Sequence, residues 1–360
     1  MTSMTSRERV LRTVNFQPTD RVPIDLGSMK ASGIGVKAYN RLKTELGLAA
    51  SSTRISDPRL MIACVEEELR QRFHVDVVPL DVSASAGELR PDGDWVAQTL
   101  YDGAEGLLPP GTGIDTDAEG NWMLLDESGK PTSLRMPREG YYFDDVAFDK
   151  SNITFDPAAF QPIIGFSDTH LRALEQRGRS LYDDTEYALL GWGGGVCFLG
   201  LSLTTDRLSN VTLGLPSEWM IMLMTEKQTC HEMMDRAVEA SIACMQQLHD
   251  AVGDRCFAWG IAADDSGTQR GEFIHPDLWV EMIKPHYTKL CAWVHANTNW
   301  KTFLHCCGSI YQLIPHMIDA GIDILNPIQT SATNMEPARL KQEFGGKIVF
   351  WGGGCDTQST

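Results

Sequence analysis

Apolar positions along this chain switch repeatedly between the 3.6-residue spacing of amphipathic helices and short continuous runs of the kind that form buried strands. Helical spacing predicts a first helix over residues 5–16, with Val10, Leu11 and Val14 on one side, ended by Pro18 and Asp20. A strand is expected over 21–27, helices over 36–48 and 58–72, and a strand over 75–80, with Asp57 and Pro58 as cap and first turn of the second helix. From about 83 to 165 the pattern changes to frequent Gly, Pro and Asp with short alternating pieces at 95–101 and 121–125, which predict hairpins. This stretch reads as an insertion and not as a second core. Alternation then resumes, with strands expected over 187–191, 256–259, 301–306, 323–327 and 347–351, and helices over 216–251, 276–296, 309–320 and 337–344.

Strands separated by helical segments require parallel pairing, so the fold class is α/β. No GxGxxG turn follows an early strand, and polar groups gather at the carboxyl ends of several late strands. A (β/α)8 TIM barrel is therefore expected in place of a dinucleotide fold, as a single domain over 1–360. The predicted strands number about seven, short of the eight of a closed ring. Because the chain stops at Thr360, just after a strand and its loop, the last βα unit is expected to be missing from it.

Composition narrows the chemistry. The 360 residues are 42% hydrophobic, enough for a barrel-sized core. A formal charge of −17, with Lys and Arg scattered, argues against a nucleic-acid surface. The first residues lack the apolar stretch of a secretory signal and no run of ~20 apolar residues occurs, so no membrane association and a cytoplasmic location are expected. Nine cysteines without regular spacing suggest reduced thiols available to a metal.

Candidate ligands lie at strand ends. Side chains alternate faces along a strand, so His305 and Cys307 point the same way while Cys306 points into the packing behind. Cys355 ends another strand-like run, and carboxyl ends of barrel strands converge on one mouth. His305, Cys307 and Cys355 therefore form a candidate three-ligand zinc site with an open fourth position, the pattern of a catalytic metal. Asp264 and Asp265 reach the same mouth as candidate catalytic groups, with Asp265 also a candidate fourth ligand, general base or partner of the imidazole. Gln269, Asn326, Gln329, Trp351 and Gln358 are candidate substrate-binding residues. Glycine runs at 193–195 and 352–354 would let backbone approach a ligand closely. Glu186 is a weaker ligand candidate, and His231, His249, His286 and His295 read as ordinary helix histidines.

Taken together, Arg21-Val-Pro-Ile-Asp25, Asp264-Asp265-Ser-Gly-Thr-Gln269, Phe303-Leu-His-Cys-Cys-Gly308, Asp323-Ile-Leu-Asn-Pro327 and Phe350-Trp-Gly-Gly-Gly-Cys-Asp-Thr-Gln358 resemble the uroporphyrinogen decarboxylase superfamily, and within it the zinc-dependent corrinoid methyltransferase branch. The resemblance implies a barrel with zinc at its mouth, His305 and Cys307 as ligands, and a corrinoid-carrying protein partner. The Trp-Gly-Gly-Gly and Asp-Thr-Gln segment is similar to O-demethylase-like methyltransferases, although in the coenzyme M methyltransferases the third ligand lies farther along, on a final strand. Decarboxylases of the superfamily carry arginines soon after the first strand, and none occurs here between Arg21 and Arg41. The activity implied is methyl transfer between a small methylated compound or thiol and the corrinoid protein. Trp192, Phe198 and Trp351 would suit a methoxylated aromatic. A tetrapyrrole decarboxylase using Asp25 or the Asp264–Asp265 pair, or a non-catalytic corrinoid- or zinc-binding protein, are the alternatives.

Overall fold

The structure, a computed structural model, describes residues 4–48, 53–81, 95–126, 128–145, 165–199 and 216–356, with Phe160, Pro162, Gln358 and Ser359. The chain divides into two units, one formed by Met1–Val22 with Thr154–Thr360 and the other by Pro23–Ile153.

In the first unit, short runs of apolar residues form strands β1 (Ala188–Trp192), β2 (Cys256–Ala263), β3 (Lys301–His305), β4 (Ile324–Asn326) and β5 (Val349–Phe350), hydrogen-bonded side by side in chain order and all parallel. Seven of the eight residues of β2 are buried, as expected of a parallel strand covered on both faces. The unit's helices are α1 (Ser6–Val14), α2 (Asp168–Asp184), α3 (Pro216–Thr225), α4 (Lys227–Val252), α5 (Pro276–Met282), α6 (Lys284–Asn297), α7 (Ile314–Asp319) and α8 (Pro337–Phe344). The expected helix over 276–296 is two, α5 and α6, because Pro285 in the first turn of α6 has no N–H to continue the ladder. Likewise the expected helix over 216–251 breaks at Glu226, whose backbone leaves the helical region. Among the described residues the strands of this unit form an open parallel sheet, and no closed ring is seen.

Register fixes what meets at the sheet's carboxyl edge. Ala263 pairs with His305 and His305 with Asn326, so the segments following β2, β3 and β4 emerge side by side. Lower down, Gly191 lies opposite Trp259 and Trp192 opposite Gly260. Each indole covers the glycine of the neighbouring strand so closely that a Cβ there would lie 2.0 Å from the ring. Trp259 stacks on Trp300 at 4.4 Å and donates to the Gly193 carbonyl. Trp192 meets the edge of Phe303, which with Phe257 packs against Trp351.

The second unit has its own core, with Tyr39, Ile55, Leu69, Leu108, Trp122 and Phe143 among its buried residues. The hairpins expected at 95–101 and 121–125 are present as Val96–Thr99 paired antiparallel with Glu105–Leu108, and Trp122–Leu125 paired antiparallel with both Gly113–Thr116 and Pro131–Met136. Three expectations fail here. The stretch read as an insertion without a second core contributes Leu108, Trp122 and Phe143 to the core of this unit. Residues 21–27 form no strand: Pro23 offers no N–H, the Ile24 N–H donates to the Asp76 carboxylate, and Asp25 accepts from the Ser28 N–H and hydroxyl. The helix expected over 58–72 shortens to Glu67–Arg72, because the Asp57 carboxylate accepts the Leu60 N–H in a turn and Ile62–Ala63 pairs antiparallel with Thr53–Asp57.

Candidate metal centre

Three side chains converge where β2 and β3 end. Donor atoms of Asp265, His305 and Cys307 all lie within 4.8 Å of one another, the one such group of three or more among the described residues. The Cys307 Sγ is 3.4 Å from His305 Nε2, and Nε2 is 3.6 Å from Asp265 Oδ1. His305 is the last residue of β3 and Cys307 follows two residues later, so both face the same side. Asp265 is held beside them because its Oδ1 accepts the Cys307 N–H at 2.8 Å, and the Asp264 N–H donates to the His305 carbonyl.

The two loops carrying these donors touch through their backbones. The Gly267 N–H donates to the Cys307 carbonyl, and a Cβ built on Gly308 (φ +91°) would lie 2.3 Å from the Gly267 carbonyl carbon. Only glycine fits there. The Gly308 N–H in turn donates to Gln329 Oε1 at 2.6 Å.

The imidazole is fixed from behind. His305 Nδ1 lies 2.8 Å from Asn326 Oδ1, and the Asn326 amide donates to the Trp351 carbonyl at 3.0 Å. Burial, and next the neighbouring Asp265 carboxylate, push the Cys307 thiol up to about 12. A thiol, a carboxylate oxygen and an imidazole nitrogen thus converge, and among the described residues no Lys or Arg forms an ion pair with the Asp265 carboxylate. The donor set suits a cation of zinc type, which binds S, N and O ligands and would reverse the penalty on the thiolate.

Asp264, adjacent in sequence, has a different fate. It is 4% exposed and accepts from the Tyr287 hydroxyl at 2.7 Å and from the N–H groups of Phe198 and Leu199 at 3.0 and 2.9 Å. Burial pushes its carboxyl up to about 6, against those three hydrogen bonds. It ties helix α6 and the loop after β1 to the segment that carries Asp265. Tyr287 and this loop contact had no sequence signal, since Tyr287 reads only as part of an apolar helix face.

The remaining expected residues divide. Asn326 and Gln329 stand at the centre, holding His305 and Gly308. Trp351 contributes its carbonyl to Asn326 and its ring to the aromatic cluster with Phe257 and Phe303. Gln269 reaches across to the Ser331 carbonyl at 2.6 Å, bracing the loop after β4. Cys306 is fully buried and outside the donor group. Cys355 is exposed, with its Sγ 3.9 Å from the Asp356 carbonyl, and is not brought to His305 and Cys307; Gln358 is exposed nearby. Glu186 is likewise outside the donor group. The glycine run at 193–195 makes its close approach to β2, where a Cβ on Gly195 would meet the Ile261 carbonyl at 2.0 Å. His231 and His286 pair with each other across α4 and α6, away from these donors.

Residues 212–352 match the family described as uroporphyrinogen decarboxylase (URO-D). This URO-D-like stretch contains Asp265, His305 and Cys307, together with Asn326 and Trp351, and ends before Cys355. The solved structure of a methyltransferase from Methanosarcina mazei superposes with a TM-score of 0.45 at 14% sequence identity, covering 96% of this chain and 82% of that one. No curated protein matches the chain in sequence. No helix among the described residues is long and apolar enough to cross a membrane.

Proposed function

We propose that this chain is a zinc-dependent methyltransferase that moves a methyl group between a small methylated compound or thiol and a corrinoid carried by a partner protein. One observation carries the reading: Asp265, His305 and Cys307 offer three donor atoms within 4.8 Å at the carboxyl edge of a parallel sheet. Three protein ligands leave a fourth position for substrate, the arrangement of catalytic zinc. When bound there, the metal supplies Lewis acidity, polarising the heteroatom that bears the methyl group or keeping a thiol acceptor ionised. Cys307 and Asp265 supply negative ligands and His305 a neutral one. Gln329 and the Gly267–Gly308 contact hold the two ligand loops together. Trp192 and Trp351, both half-buried, are the candidate aromatic partners for a methoxylated aromatic. The sheet is read as part of a (β/α)8 barrel wall.

The match of residues 212–352 favours a second reading, a metal-independent tetrapyrrole decarboxylase. Asp264 is poorly suited to it, because three hydrogen bonds already engage its carboxylate.

Metal analysis of the purified chain tests the choice. Stoichiometric zinc is expected, lost in Asp265→Ala, His305→Ala and Cys307→Ser and kept in Cys355→Ser. Zinc loss in Cys355→Ser instead would make that thiol a ligand. Porphyrinogen decarboxylation by a zinc-free chain would overturn the methyltransferase reading.

A further inference from the structure

We propose that Asn326 is the positioning residue that sets His305 in the one neutral form able to bind a metal on the side of Asp265 and Cys307, with hydrogen on Nδ1 and a bare Nε2. The inference deepens the metal-site reading above and rests on it for its purpose. Its physical basis is the direction of two hydrogen bonds.

The Trp351 carbonyl can only accept. The Asn326 group facing it at 3.0 Å is therefore the amide nitrogen, which turns Oδ1 toward His305 at 2.8 Å. Oδ1 also only accepts, so the hydrogen must sit on His305 Nδ1. A neutral ring then has its remaining lone pair on Nε2, the atom that faces Cys307 Sγ and Asp265 Oδ1.

Three strands hold this arrangement. Asn326 ends β4, is 3% exposed, and lies in register with His305 on β3. Its carbonyl accepts the Cys306 N–H at 2.6 Å, and the Trp351 N–H donates to the Leu325 carbonyl, which places the Trp351 carbonyl over the amide. Both functional groups of the amide are committed within the protein, so the geometry points to orientation of His305 and away from contact with substrate.

Nitrogen-15 NMR of the histidine rings in the zinc-free chain at neutral pH tests this directly, with the His305 signals assigned by their loss in His305→Gln. The expected spectrum has hydrogen on Nδ1 and none on Nε2. Asn326→Ala should move the ring to the Nε2–H form or a mixture and weaken zinc binding, read by chelator competition, by about 10–100-fold. Asn326→Asp keeps an acceptor for Nδ1–H but sets an oxygen against the Trp351 carbonyl, so it should restore hydrogen to Nδ1 at a cost in stability. A wild-type ring with hydrogen on Nε2, or on both nitrogens, overturns the proposal, as does a ring state indifferent to Asn326→Ala. If the wild-type ring is as expected but the chain takes up no zinc, the metal reading fails and the positioning role stands. If zinc binds and the ring ignores Asn326, the reverse holds.

Discussion

Two adjacent aspartates acquire opposite roles from their surroundings. Asp264 turns into the protein and Asp265 stands in the donor group, so one carboxylate becomes a tether and the other a candidate ligand. The tether has a measurable signature. Its carboxyl rises from an ordinary 3.8 to about 6, so between those values the folded chain holds a proton that the unfolded chain releases. Stability therefore falls as pH rises through that window and is flat above it. Relative to Asp264→Asn, the zinc-free wild type should lose on the order of 3 kcal/mol between pH 4 and pH 7 in urea unfolding; parallel profiles would remove this account of Asp264. Cys307 titrates in the other regime. Burial and Asp265 keep it a thiol at neutral pH, so zinc uptake must expel its proton, and chelator competition should show affinity rising about tenfold per pH unit. The shared face of His305 and Cys307 was legible from strand alternation alone, and Asp265 was legible as a candidate. The link from Asn326 to His305 was not, because it depends on the register between strands, which no local pattern encodes.

At the level of elements, glycine decides how closely segments approach. Gly308 combines φ +91° with backbone contact to Gly267, so Gly308→Ala should cost about 2–4 kcal/mol in chemical denaturation and weaken zinc binding as the ligand loops separate. Gly354→Ala, with nothing within 4 Å of its Cβ, is the control and should stay within about 0.5 kcal/mol. Gly191→Ala or Gly260→Ala forces an indole off its neighbour and should cost about 1–3 kcal/mol or more without touching the donors. The late strands and helix α8 were readable because short apolar runs and a clean helical period coincide with them. Residues 21–27 were not, since a run that looks apolar and extended spends its polar groups on Asp76 and Ser28 instead of a neighbouring strand. Prolines and local caps likewise divided or shortened helices that periodicity alone joins.

Across the whole molecule, the proposed metal binding would be linked to folding. Zinc that binds only the folded chain should raise its stability by about 2.7 kcal/mol at a hundredfold excess over Kd, and Cys307→Ser should abolish that gain in thermal unfolding. A donor set drawn from consecutive strands also has an order in time. Synthesis runs from Asp265 through His305 and Cys307 before it reaches Asn326 and Trp351, so a nascent chain carries every proposed ligand before it carries the parts proposed to orient the imidazole. If the centre holds zinc as proposed, firm capture would wait until the fifth strand has docked, and a half-made chain would be a poor scavenger of the ions around the ribosome.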